Sequence, residues 1–256
     1  MNETEWLVCD RTKPMLRFLL GLGPNEVRVT DIKTFLACRG SDRKLRLFAC
    51  ECYYRVRALL PDELAEAAVE AASRHADGLA TLEELQAAEA LVRQALDSLE
   101  GRWRASGGAE RISLQPTHDA LALSFQVVQP QAPKGAYYAS SNAHLAAAAM
   151  ANPGAAPGDA SFLASSAAEE HAQADVLRDI FGNPFRVVAF DPGWRTSTAV
   201  GLARQMYESR VFGSMSILAN ALLEARCDDA DVLAHCRGRG PHVRGCWVID
   251  LLLGKE

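Results

Sequence analysis

Residues 227–247, CDDADVLAHCRGRGPHVRGCW, bring three cysteines and two histidines into one short stretch. Thiolate sulfur and imidazole nitrogen are the common donors to zinc and also the parts of a thiol nucleophile with its base, so two chemistries are open here. For zinc, the donors on offer are Cys227, His235, Cys236, His242 and Cys246. His242 and Cys246 have the spacing of a ligand pair. The other half is weaker, because no C-x-x-C occurs and the neighbours His235 and Cys236 project about 100° apart on a helix. The metal alternative is therefore carried by Cys227, Cys236, His242 and Cys246, with Zn as the cofactor. For catalysis, Cys246 follows Gly245 near a helix start, where the dipole and free N–H groups favour a thiolate, with His235 or His242 as base and Asp250 orienting it.

A third reading is structural and accounts for more of the residues. Asp228 caps a helix, Asp231 sits in its first turn, and Val232, Leu233 and Cys236 face inward. Gly238 or Gly240 ends that helix and Pro241 prevents its continuation. The segment GCWVIDLLLG then forms a buried closing helix with Val248, Leu251 and Leu252 in one stripe. Its Asp250 needs a partner if buried, and Arg237, Arg239, Arg244 and His242 are near in sequence. On this reading the thiols fill the core and no cofactor is required.

A second cluster lies in SDRKLRLFACECYYRVRALL, where Arg43, Lys44, Arg46, Arg55 and Arg57 fall mainly between the apolar positions Leu45, Phe48, Ala49, Cys52, Val56, Leu59 and Leu60. That basic flank is the candidate partner-binding surface, for an acidic protein or for the phosphates of a nucleic acid. The plainer reading is a solvated face making ion pairs with the acidic PDELAEAAVEAA helix. The stretch EEHAQAD lacks the paired Glu-x-x-His of di-iron bundles. The zincin, phosphate-loop, dinucleotide and G-x-S-x-G patterns do not occur.

Helical periodicity must position these groups. Ser41 caps the basic helix, and Pro61 opens the next one, which stops at Gly78. Thr81 and Glu84 form a capping box ahead of a long helix through LQAAEALVRQALDSLEGRW. The spacing predicts a linker over 105–116, a weakly specified alanine-rich stretch over 117–158 and a loop near 129–135, QPQAPKG. A helix restarts at Asp159 or Ser161 and runs to Phe181. The segment GNPFRVVAFDPGW reads as an extended strap that buries Phe185, Val187 and Phe190. Thr196 or Ser197 then caps a helix with Ala199, Leu202, Ala203, Met206 and Tyr207 on one face.

The expected fold is all-α, a multi-helix globular bundle with one short extended strap. Its parts are an N-terminal helical part at 1–104, the linker at 105–116, and an alanine-rich middle with C-terminal helices at 117–256, packed with the first part as one unit. With 256 residues, a net charge of −5 and an odd seven cysteines, composition points to a folded protein of a reducing compartment, with no general affinity for polyanions. No apolar run approaches the roughly 18 residues of a membrane span, and MNETEWLVCDRTKP has no signal-peptide core, so the expected location is cytoplasmic with no membrane partner.

Three stretches together resemble a family of cytoplasmic proteins that occurs as numerous paralogues in planctomycete bacteria. They are EWLVCDRTKPMLRFL joined to SDRKLRLFACECYYRV, then DVLRDIFGNPFRVVAFDPGWRTSTAVGLARQMYE, and LANALLEARCDDADVLAHCRGRGPHVRGCWVIDLLLGK. No activity is established for that family, so the resemblance implies no catalytic or binding residue. The chain departs from it at GLGPNEVRVTDIKTFLACR, which has the look of an insertion, and at Tyr53, where the family tends to carry a further cysteine. The functional expectation is a non-catalytic protein–protein interaction or adaptor module. The alternatives are a metal- or thiol-dependent enzyme at the C-terminal Cys/His cluster, and a nucleic-acid-associated factor using the 39–57 flank.

Overall fold

The structure, a computed structural model, describes residues 1–22 and 38–255. Among the described residues the protein is all helical, with no strand. In chain order the helices are α1 (Glu3–Val8), α2 (Thr12–Leu19), α3 (Asp42–Val56), α4 (Glu63–Ala76), α5 (Leu82–Ala105) and α6 (Gly108–Val127). They continue with α7 (Ala132–Ala151), α8 (Ala160–Phe181), α9 (Ser197–Ser209), α10 (Met215–Glu224), α11 (Ala230–Arg237) and α12 (Trp247–Leu253). No helix is long and apolar enough to cross a membrane among these residues. The stretch 21–39 that reads as an insertion lies mostly outside the described residues.

Contacts divide the chain into a unit of Cys9–Ala174 and a second unit of Met1–Val8 with Asp175–Glu256. In the first unit, α3 turns Leu45, Phe48, Ala49, Cys52 and Val56 inward, all at most 2% exposed. It packs chiefly on α7, whose inward face is built from Ala136, Ala139 and Ala143. Such small side chains let two backbones come close, and Gly135 carries this furthest. A Cβ there would stand 2.6 Å from the carbonyl oxygen of Gln126, so only glycine fits. Ser41 caps α3 through the Lys44 N–H, and Thr81 with Glu84 makes the reciprocal capping box on α5. Pro61 does not open α4 as expected but lies two places before its first residue, and Asp62 caps the helix.

Two connections differ from the sequence expectation. The linker placed at 105–116 is mostly helix, since only Ser106 and Gly107 separate α5 from α6, and α6 runs straight through Pro116. A proline removes one N–H from the ladder, and the packing of α6 against α4, α5 and α7 outweighs that single loss. The 129–135 loop shrinks to the few residues before Ala132, because Pro133 stands in the first turn of α7, where its missing N–H costs nothing.

In the second unit, Trp194, Ala203, Met206, Leu218, Leu222, Val232, Ile249 and Leu252 share one core. The strap at 183–191 is non-helical, as the turn signals imply, but its side chains divide differently. Val188 and Phe190 pack on the core, whereas Phe185 is 38% exposed and Val187 99%. Its ties are polar instead. Asn183 donates to Glu3 at 2.7 Å, and Arg186 pairs with both Glu3 and Asp231. Phe190 meets Trp194 edge to face, beneath the guanidinium of Arg195.

Candidate metal centre

Four side chains of the second unit converge: Asp179, His235, His242 and Cys246, with one ligand atom of each lying within 4.8 Å of the others. Asp179 stands on the last turn of α8, in the apolar run Val176, Leu177 and Ile180, and is 3% exposed. His235 is near the end of α11. That helix is capped by Asp229, whose carboxylate accepts from the Val232 N–H, one residue later than the expected Asp228. Gly238 closes it, and the Gly240-Pro241 break returns the chain so that His242 faces His235, their rings 4.9 Å apart and nearly perpendicular. Gly245, at φ +96°, then places Cys246 as the residue before α12.

The donor atoms point at one another rather than at separate partners. Asp179 Oδ1 lies 2.9 Å from His242 Nδ1 and 3.1 Å from His235 Nε2. The same His235 Nε2 is 3.1 Å from the sulfur of Cys246. Behind these atoms the groups are held by their other ends. The Val243 N–H donates to Asp179 Oδ2 at 2.9 Å, and His242 Nε2 faces the Gly238 carbonyl at 3.4 Å. Trp247 flanks the His235 ring at 5.1 Å. Gly182 makes room for Trp247: it adopts φ +62°, and a Cβ on it would stand 3.1 Å from the indole.

Burial acts on each group and is opposed at two of them. It pushes the Asp179 carboxyl up, but hydrogen bonds from His235 and His242 outweigh it, so the group sits below the usual carboxylate range. Burial pulls His242 down, and the Asp179 carboxylate more than compensates, leaving it raised. Nothing compensates the thiols fully. Burial and then Asp179 hold Cys246 well above the ordinary thiol range, even though the N–H groups of Ile249 and Val248 face its sulfur. Burial lifts Cys236 to about 12.

Two chemistries can be compared on this geometry. A cysteine–histidine–aspartate relay needs the imidazole to turn one nitrogen to the sulfur and the other to the carboxylate. Here His235 offers the same Nε2 to both, and the Cys246 residue is 0% exposed. Convergence on a shared point is instead the arrangement of ligands around an ion. Tetrahedral zinc at bond lengths of about 2.0–2.3 Å holds its donors roughly 3.3–3.7 Å apart. The close pairs here are a few tenths of an ångström shorter and the four atoms together span up to 4.8 Å, so opening the first and drawing in the widest would admit an ion. Carboxylate, imidazole and thiolate suit zinc together, and both the second carboxylate oxygen and the far imidazole nitrogen of His242 already have the outer partners that orient such ligands.

Of the four metal candidates read from the sequence, His242 and Cys246 belong to this cluster. Cys227 and Cys236 lie in the apolar core instead, at 3% and 1% exposed. The angle between neighbouring helical residues that separated His235 from Cys236 is real, but it is the histidine that turns to the site. Asp179 went unnoticed in the sequence. Its signal is a carboxylate on the buried stripe of DVLRDIF, which has to find a partner. The basic candidates turn largely inward within the first unit. Arg46 is 4% exposed and donates to the carbonyls of Val127, Gln129 and Pro130. Arg55 grips Glu169 with two bonds of 2.8 and 2.9 Å, and Arg43 meets Asp77 at 3.2 Å. Arg57 makes the expected bridge to the acidic helix, with Glu66 at 3.2 Å, and the backbone N–H of Lys44 serves the Ser41 cap. Compared with known proteins, the chain matches no family model, no curated protein and no solved structure.

Proposed function

We propose that Asp179, His235, His242 and Cys246 bind one zinc ion, and that this ion is structural. The observation carrying the reading is the convergence of four donor atoms of three kinds, each donor residue at least largely buried, on a single point. With four protein ligands the coordination shell is complete, which leaves no position for a reacting water or substrate. The ion would pin the end of α8 to the α11–α12 turn, a turn of glycines, arginines and a proline with little apolar surface of its own. A closed ion performs no chemistry. The role this supports for the chain is a non-catalytic helical interaction module whose second unit takes its shape from the metal.

Elemental analysis of the purified full chain tests this directly. The expected result is about one zinc per chain, lost in His235→Ala/His242→Ala. Cobalt substitution gives a second readout: intense visible bands of tetrahedral Co(II) and a near-ultraviolet sulfur charge-transfer band that Cys246→Ser removes. Protein that takes up neither ion, or a double variant that keeps its zinc, refutes the reading.

A further inference from the structure

The first unit contains a cavity of about 640 Å³ between α6, α7 and the start of α8, far larger than packing defects and within the size range of small-molecule sites. Its walls are chiefly apolar: Ala122, Ala146, Ala149, Leu145 and Phe162. Alanine at three facing positions is what keeps the space open, since any larger side chain would fill it. Leu145, 46% exposed, stands at the mouth.

One end is polar, and Asp119 offers it an open acceptor. Asp119 Oδ1 receives the Gln115 amide at 2.8 Å and faces His118 Nδ1 at 3.3 Å, while Oδ2 has no hydrogen bond among the described residues. Gln115 is itself fixed by the Trp103 indole N–H, and His118 is stacked on the same indole at 4.4 Å. Pro116 has no N–H to give the carbonyl of Ile112, a residue of the cavity wall one turn earlier. Arg111 also lines the cavity, but its Nε and Nη2 are turned to the end of α5. It caps α5 through the carbonyls of Trp103 and Arg104 and lies over the Trp103 ring. A ligand head set against the open carboxylate oxygen of Asp119 meets an acceptor, which a charged donor matches best.

We infer that this cavity binds an apolar small molecule carrying a protonated amine, its body among the alanines and its ammonium on Asp119. The proposal is independent of the metal centre.

Three naphthalene probes with one body and different heads test it on the full chain: 2-(1-naphthyl)ethylamine, the matching alcohol, and naphthaleneacetic acid. Saturable binding by calorimetry is expected for the amine, about tenfold or more tighter than for the acid. Asp119→Asn should bring the amine and the alcohol to within a few-fold of each other, and Ala149→Phe should abolish binding of all three while the circular dichroism stays unchanged. If Ala149→Phe misfolds, Asp119→Asn still decides the matter. Absence of saturable amine binding, acid binding as tightly as amine, or an amine preference untouched by Asp119→Asn would each overturn the proposal.

Discussion

Replacing Cys246 by alanine separates a ligand from a piece of core. The residue is 0% exposed and belongs to the apolar cluster of the second unit, so losing its sulfur costs something even without an ion. Removing one buried heavy atom leaves a small void, a cost of about 1 kcal/mol. The metal contributes by mass action: at a free zinc concentration of a hundred times its Kd, binding to the folded state alone adds about 2.7 kcal/mol. With one of four donors gone, most of that linkage disappears. The substitution should then cost about 1 kcal/mol in chelator and nearer 4 kcal/mol with zinc. Urea titrations of wild type and variant, each with and without chelator, give the double difference. Circular dichroism reports the helices, and the indoles of Trp194 and Trp247 report the second unit in particular. An equal cost in both conditions would mean that the sulfur only fills space, and the coordination argument would fall with it.

Other perturbations probe the scaffold. Gly182→Ala forces a Cβ into a left-handed backbone position and to 3.1 Å from the Trp247 ring, which should cost about 1–3 kcal/mol in urea titration. Arg46→Met strands three carbonyls near the end of α6 and should cost about 3–5 kcal/mol, whereas Arg57→Ala, an exposed pair with Glu66, should change stability by less than about 1 kcal/mol. His144 is buried with no partner for its Nε2, and burial, then Lys13 against the opposing Glu170 and Glu169, lowers its pKa from the usual 6.5. The unfolded chain therefore binds the proton more readily. Stability is intact above pH 6.5 and falls below it, so His144→Gln should lose less stability than wild type on acidification from pH 6.5, measured in chelator.

The features legible in the sequence are those fixed by neighbours. The Ser41 cap and the Thr81–Glu84 box depend on residues three apart, and both occur as read. The apolar spacing of α3 likewise sorted Leu45, Phe48 and Val56 from solvent correctly, because one helix face is one set of intervals. What escaped is whatever depends on distant partners. Periodicity marks Arg46 as flanking, yet α6 ends beside it with carbonyls that no helical N–H satisfies, and those draw the guanidinium inward. The candidate metal cluster escaped in the same way. Cysteine and histidine spacing within 227–247 could suggest half of it, but the carboxylate comes from another helix far upstream. The choice between His235 and Cys236 depends on the rotation of α11, which its own sequence fixes only through what packs against it.

The first helix belongs with the last four. Trp6 is fully buried, its indole N–H donates to the Gly182 carbonyl at 2.9 Å, and Arg178 donates to the Trp6 carbonyl. During synthesis these opening residues leave the ribosome long before anything they can dock on, with all of Cys9–Ala174 made in between. The contiguous unit can mature while translation continues; the split one must wait for its closing residues, keeping a tryptophan uncovered meanwhile. Completion of the unit that holds the candidate metal centre is in this way deferred until α12 has been made, and an N-terminal tag or truncation would disturb that unit from the opposite end of the sequence.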